Sequence, residues 1–320
     1  MSTPTFPQEI VDIIIDCAWD LQPEFKHWRV NAGAHRVDGQ EPFNVFALVS
    51  RSWVARARHC AFRDLIFRRK WSFDSRQFGI AFLENPLCTI REHVLRLDFE
   101  PAGSRPWGHN LADISYLRSF RNLKSLSLHG LVFEARSWPV ESSIFESVLL
   151  AILENLDLED CTFPNVDCLI QLIACATGLR SLRCSVIFLP DGGDKARRVV
   201  QSIPQHLTEF SITVEYDPCQ KVLEWIYSAS MPPRIESLEL QAISDESVPI
   251  VSGALHVLGP SVVTLSLLLR SYEHDQNPFA TAADLSTLRN LQHLVTVCCF
   301  LSYGRMDVAT HHVSYPRRGY

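Results

Sequence analysis

The sequence is short of features that would assign it quickly. Its longest apolar run is Val148–Leu153, far below the roughly 18 residues of a membrane-spanning helix. It has no Asn-x-Ser/Thr acceptor, and its opening MSTPTFPQEI lacks the basic start and apolar stretch of a secretory signal. Ten cysteines in 320 residues fall well under the density of a disulfide scaffold. A cytoplasmic or nuclear protein is the expectation. Catalytic motifs are missing as well. There is no Gly-x-Ser-x-Gly, His-Glu-x-x-His, Walker-type Gly-Lys-Ser/Thr, Gly-x-Gly-x-x-Gly or Cys-x-x-Cys. No catalytic residue, metal ligand or cofactor is therefore expected, and the chain reads as a non-enzyme.

Charge of one sign is also lacking. The net charge is −6, which gives no global electrostatic case for nucleic acid. Residues 1–75 hold ten Lys and Arg against nine Asp and Glu, and the remainder holds twenty against twenty-seven. Much of the positive charge lies in Arg51, Arg56, Arg58, Arg63, Arg68, Arg69 and Lys70, which face only Asp64. A solvated helix face accounts for this run. A basic surface for an acidic partner is the alternative. No Gly-rich loop or aromatic stacking pattern accompanies it, as nucleic-acid binding would require.

What the chain does have is a repeat. An apolar-x-x-Leu-x-Leu pattern recurs as Leu123-x-x-Leu126-x-Leu128, Leu153-x-x-Leu156-x-Leu158, Leu179-x-x-Leu182-x-Cys184 and Leu207-x-x-Phe210-x-Ile212. Ile235-x-x-Leu238-x-Leu240 and Val262-x-x-Leu265-x-Leu267 continue it, with weaker outer copies centred on Leu95 and Leu294. The unit is about 28 residues long, a period of the kind that marks stacked supersecondary units. The motif half alternates apolar and polar residues, which is strand period. The other half is helical. Val166–Ala176 carries apolar residues at 166, 169, 170, 173 and 176 and stops at Gly178. Residues 194–205, 217–230 and 246–259 repeat this, with Pro204, Pro232 and Pro260 near the ends. Strands joined through a helix must be parallel. The expected fold class is α/β, with stacked units sharing one core.

Leu153-Glu-Asn-Leu-Asp-Leu-Glu-Asp-Cys-Thr-Phe163 resembles the leucine-rich repeat pattern L-x-x-L-x-L-x-x-N/C-x-L, with Cys161 at the Asn/Cys position. In that family this side chain is buried and hydrogen-bonds the backbone of the turn. Leu131, Ile187, Ile243 and Arg270 occupy the position in other copies. The resemblance implies a solenoid with a curved parallel sheet.

The first 75 residues differ. Pro7 suits the first turn of a helix over residues 5–21, Glu9 complements its dipole, and Ile10, Ile13, Ile14, Cys17 and Leu21 line one face. Residues 22–42 are polar, with Pro23, Gly33, Gly39 and Pro42, and read as a loop. A helical pattern returns from Phe43. Phe6-Pro7-Gln8-Glu9-Ile10-Val11 resembles the Leu-Pro-x-Glu-Ile-(Leu/Val) start of an F-box. Leu48-Val49-Ser50-Arg51-Ser52-Trp53 resembles its second half, Leu-Val-(Cys/Ser)-(Arg/Lys)-x-Trp. The continuation to Phe62 is similar to a segment common in mushroom-type fungal F-box proteins. The resemblance covers residues 5–70 and implies a small all-α bundle. Its departure is the connection from Leu21 to Phe43, longer than usual between these helices.

The expected organisation is an F-box domain over residues 1–75, a leucine-rich-repeat-like solenoid of about eight units over 76–300, and an irregular tail over 301–320. The pair of resemblances implies the substrate-recognition subunit of an SCF-type ubiquitin ligase. The F-box would bind a Skp-type adaptor, and through it a cullin, while the repeats recruit a protein substrate. Carried over residue by residue, adaptor contacts fall on Phe6, Pro7, Ile10, Leu48, Val49 and Trp53. On the concave face, substrate contacts fall on Arg96, Ser127, Asp157, Arg183, Ser211 and Glu239, with Asp98, His129, Glu159, Ser185, Thr213 and Gln241 next outward. A second reading is an interaction scaffold with a vestigial F-box, which the long connection favours.

Overall fold

The computed structural model describes residues 7–20, 28–31, 49–68, 88–100, 117, 120–133, 152–188, 202–215, 217–271, 285–302 and 305–314. Eleven strands among them form one sheet in strict chain order. They are β1 (Trp28–Asn31), β2 (Asp64–Arg68), β3 (Arg96–Glu100), β4 (Ser125–His129), β5 (Asn155–Phe163) and β6 (Ser181–Phe188). Then come β7 (Glu209–Thr213), β8 (Ser237–Ile243), β9 (Thr264–Ser271), β10 (His293–Ser302) and β11 (Arg305–Ser314). All neighbours from β1 to β10 pair in parallel, and β11 pairs antiparallel to β10. A parallel sheet whose spatial order equals its chain order is a solenoid arrangement, so the α/β repeat expectation holds.

Each repeat is pinned to the next at one point. The carbonyl of Lys124 accepts the N–H groups of both Glu154 and Asn155, at 2.8 and 2.9 Å. Arg63, Leu95, Glu154, Arg180, Thr208, Glu236 and Val263 do the same for the repeat that follows each of them. Both lone pairs of one carbonyl are used, so the start of every strand is set relative to its neighbour. The register that results places Leu126, Leu156, Leu182, Phe210, Leu238 and Leu265 side by side. All are buried, as are Leu123, Leu153, Leu179, Leu207, Ile235 and Val262 at the first apolar position. Each such side chain contributes roughly 2 kcal/mol by leaving water. A one-residue slip would expose the whole set.

Three helices pack on the apolar side of the sheet: α3 (Val166–Cys175), α4 (Asp217–Tyr227) and α5 (Val248–Leu258), numbered after the N-terminal pair α1 (Gln8–Asp20) and α2 (Arg51–Phe62). The Asn165 side chain caps α3 by accepting from the Cys168 N–H at 2.9 Å. Leu169, Leu172 and Ile173 of α3, Val222, Leu223 and Ile226 of α4, and Val251, Leu255 and Leu258 of α5 join the strands in one continuous core. The helix expected over 194–205 falls largely outside the described residues.

The structure corrects the sequence reading in three places. The sheet begins inside the expected F-box domain. β1 lies in the stretch read as a loop, and β2 follows α2 directly, with Leu65 opposite Leu97. Phe62 at the end of α2 packs on the main core, so that core takes in residues before 75. The outermost early copy of the motif centres on Leu97 rather than Leu95. A centre at Leu95 puts Glu92 at the first apolar position, whereas Val94-x-x-Leu97-x-Phe99 fills all three, and Val94 and Leu97 are buried. The tail read as irregular contains β11, which covers the edge left by the last parallel strand.

Among the described residues two besides glycine have left-handed backbone, Asp160 (φ 52°) and Ala242 (φ 54°). Each lies where the register shifts near the end of a strand, β5 and β8 respectively. Asp tolerates this region through local hydrogen bonding, but Ala gains nothing to offset its Cβ clash. Ala242→Gly is expected to stabilise the fold by roughly 0.5–1 kcal/mol after the entropy cost of glycine. Chemical denaturation of both forms measures this directly.

Candidate functional site

Two surfaces carry the residues singled out in the sequence. The first is the α1–α2 pair. Val11 and Ile15 from α1 and Cys60 from α2 make a small core, with Trp53 packed against it. Arg56 Nε and Nη2 donate to the two oxygens of Asp16 at 2.8 and 2.5 Å, and this contact holds the Asp16 carboxyl below its usual range. Gln8 Nε2 donates to the Ser52 carbonyl at 3.3 Å, so the first turns of the two helices are adjacent.

The α1 face named in the sequence looks outward. Ile10 is 42% exposed, Ile13 56% and Ile14 39%, and Cys17 is exposed too. Gln8, Glu9, Asp12, Asp16 and Asp20 make the polar side of the helix, and of the wide apolar side that remains only Val11 and Ile15 pack against α2. Of the adaptor contacts carried over, Pro7, Ile10 and Val49 lie at the surface, with Val49 58% exposed. Trp53 is half-buried against the internal core. Phe6 and Leu48 lie outside the described residues.

The second surface is the sheet face opposite the helices. Register aligns Asp98, Ser127, Asp157, Arg183, Ser211, Glu239 and Ser266 in one row across seven strands. Five of the six expected positions are in that row. The sixth is corrected: Arg96 shares the face but pairs with Ser125, two residues earlier, and Asp98 takes its place. Ser127 and Ser211 are buried between longer neighbours.

The centre of this face is a charge cluster that no single repeat contains. His129 on β4 meets Asp98 on β3, Nε2 to Oδ1 at 3.1 Å, and Glu159 on β5, Nδ1 to Oε2 at 2.8 Å. The first is an ion pair and not an aligned hydrogen bond, since Asp98 Oδ1 is sealed from water without a donor in hydrogen-bond geometry. The Asp98 contact pushes the His129 pKa up to about 9, outweighing burial, and the charges of Asp98, Glu159 and Asp157 add to it. Imidazolium is thus the working form at neutral pH, which removes His129 as a general base. Burial raises the Asp157 pKa, opposed by Arg183 at 3.8 Å and by His129. Farther along, Gln241 Nε2 donates to Glu239 at 2.9 Å and Thr213 Oγ1 donates to Gln241 at 3.3 Å. The sequence places Asp98, His129 and Glu159 all in the outward row but does not show their mutual contact; the register moves Asp98 into the inner row, opposite Ser127.

No protein-family model matches this sequence, and no curated protein matches it either. The site must therefore be read from its own chemistry. Among the described residues no group of three or more His, Cys, Asp or Glu is placed to hold a metal ion. No described helix is long and apolar enough to cross a membrane. Burial pushes the Cys60 and Cys219 thiols up to about 11 and Cys161 to about 12. These thiols stay protonated, which suits core packing and not nucleophilic attack. Cys161 Sγ donates to the Leu128 carbonyl at 3.1 Å, tying the end of β5 to β4. What the face offers is hydrogen-bonding and ion-pairing groups of both signs on a rigid sheet.

The His129 clamp has a pH signature. A pKa raised from 6.5 to about 9 means its stabilisation is fully present below pH 6.5 and is lost as pH rises through 9. Between those values the wild type is expected to lose roughly 1–3 kcal/mol more unfolding free energy than His129→Gln. Urea titrations at both pH values give the difference, and parallel slopes for the two proteins count against the clamp.

Proposed function

We propose that the protein is a substrate-recognition subunit of an SCF-type ubiquitin ligase. The α1–α2 pair docks on a Skp-type adaptor, and the repeats hold a protein substrate. The observation that carries this reading is the exposed apolar stripe of Ile10, Ile13 and Ile14, with Val49 exposed just before α2, on a helix pair fused directly to a repeat array. An apolar patch of this kind on an otherwise polar surface marks a protein contact. The F-box-like half-motifs fall on these same two helices, and Pro7, Ile10 and Val49 of the motif residues are solvent-facing. The buried Cys161 thiol bonded to a neighbouring repeat's carbonyl supports the leucine-rich repeat resemblance. A receptor needs no reactive group. It raises the effective concentration of its substrate near an enzyme supplied by others.

The scaffold reading drew on the long connection between the helices. That connection contains β1, hydrogen-bonded into the sheet, so its length has a use that does not bear on adaptor binding.

Adaptor capture tests the proposal. Tagged full-length protein is expected to co-purify a Skp-type adaptor and cullin, and Ile10→Asp with Ile13→Asp to abolish this. Both side chains are exposed, so the variant's thermal midpoint should stay within a few degrees of wild type. Adaptor capture that persists undiminished in a folded double variant refutes the docking surface. Absence of adaptor from the wild-type purification refutes the receptor.

A further inference from the structure

A furrow runs along the edge of the sheet where strands β3 to β6 begin. It has two adjoining parts that share Leu95, Lys124 and Glu154 as lining. Arg63, Arg96, Arg121, Lys124, Arg180 and Arg183 line it among the described residues, against only Asp64, Glu154 and Asp157. The local balance is therefore positive on a chain whose net charge is −6. Two of the carboxylates are already engaged within it: Glu154 accepts from Lys124 at 2.7 Å and Asp157 faces Arg183 at 3.8 Å. The Arg121 and Arg180 side chains are exposed and form no ion pair among the described residues. Between them the floor is apolar, with half-buried Leu95 and Ile152, which is 36% exposed.

These positions are charged for a reason the fold supplies. The main-chain carbonyls of Arg63, Leu95, Lys124, Glu154 and Arg180 hold successive repeats together, and their side chains have no part in that bond. Structure places no demand on residue type there, yet four of the five are ionic. Only one of those four is acidic.

We infer that this strand-start furrow binds an acidic protein segment, with carboxylates on the Arg121–Arg180 rim and an apolar side chain on the Leu95–Ile152 floor. Two features favour a peptide over nucleic acid. No Phe, Tyr or Trp side chain lines the furrow among the described residues, and His206 at one end is its single ring, so there is no series of rings for successive bases to stack on. The floor suits a leucine-like anchor within a polar rim. Arg96, Ser127, Asp157 and Arg183 of the expected substrate face line the furrow, so the inference gives the partner of that face a chemistry; its test is separate from adaptor capture at the α1–α2 stripe.

The test uses the full chain and a fluorescein-labelled peptide of repeated Glu-Glu-Leu, followed by fluorescence anisotropy. A Lys-Lys-Leu peptide and a labelled oligo-dT serve as comparators. The Glu-Glu-Leu peptide is expected to bind, more weakly as salt rises, and the Lys-Lys-Leu peptide not to bind. Arg121→Glu with Arg180→Glu should weaken binding at least about tenfold. Arg121→Gln with Arg180→Gln, which removes charge without reversing it, should weaken it several-fold and covers the case in which the reversal disturbs folding. Unchanged affinity in the folded glutamine variant overturns the inference. So does failure of the wild type to bind the acidic peptide, or tighter binding of the oligonucleotide than of the peptide.

Discussion

One backbone carbonyl per repeat, shared between two N–H groups of the next, organises this molecule. It recurs from Arg63 to Val263 with little change in length. Because it fixes where each strand starts, it also fixes which side chains face the helices and which face outward. The apolar triplets then stack Leu on Leu without gaps. Because the bond is made by main chain only, it tolerates Arg, Leu, Lys, Glu, Thr and Val alike at the residue that makes it. The repeat is thus tightly constrained in its interior and free along its starting edge. The charge composition of the furrow lies on that free edge.

The outward face follows from the same constraint. Residues that are far apart in sequence become a row with strand spacing, and interactions in the row cross repeats. His129 is held by Asp98 and Glu159, one from each neighbouring strand, and Gln241 links Thr213 to Glu239. Such contacts stiffen the face and leave it chemically mixed. A mixed, rigid, hydrogen-bonding surface is suited to recognising a partner by pattern, and a histidine held as imidazolium is unsuited to moving protons. The helix pair at the other end presents the opposite chemistry, an apolar stripe that is exposed among the described residues. The two ends of the molecule therefore differ in the kind of surface they offer, which is what a receptor joining two partners needs.

Comparison of sequence and structure shows where pattern suffices. The six central motif copies were legible because each is a strand-period triplet at nearly constant spacing, four of them followed by a helix-period segment, and all six triplets are buried. The early copy was misplaced although Val94-x-x-Leu97-x-Phe99 fills all three apolar positions, whereas a centre at Leu95 puts Glu92 at the first. That displacement put Arg96 in the row where Asp98 belongs. On α1 the apolar residues Ile10, Val11, Ile13, Ile14 and Ile15 span more than one side, and only contact with α2 decides which of them are buried.

The sequence by itself determined the repeat length, the parallel α/β architecture, the core triplets and the lack of recognisable catalytic motifs. These depend on local period and residue type, which short-range physics reads directly. The tertiary structure decided the rest. It set the register of the first repeat, placed β1 in a stretch that looked like a loop, turned β11 back onto β10, and chose the exposed face of α1. Each of these rests on hydrogen bonds or contacts between residues distant in the chain, whose energies no local pattern contains. The furrow belongs to the same class. Its cations are scattered from Arg63 to Arg183, and only the stacking of repeats makes them one surface.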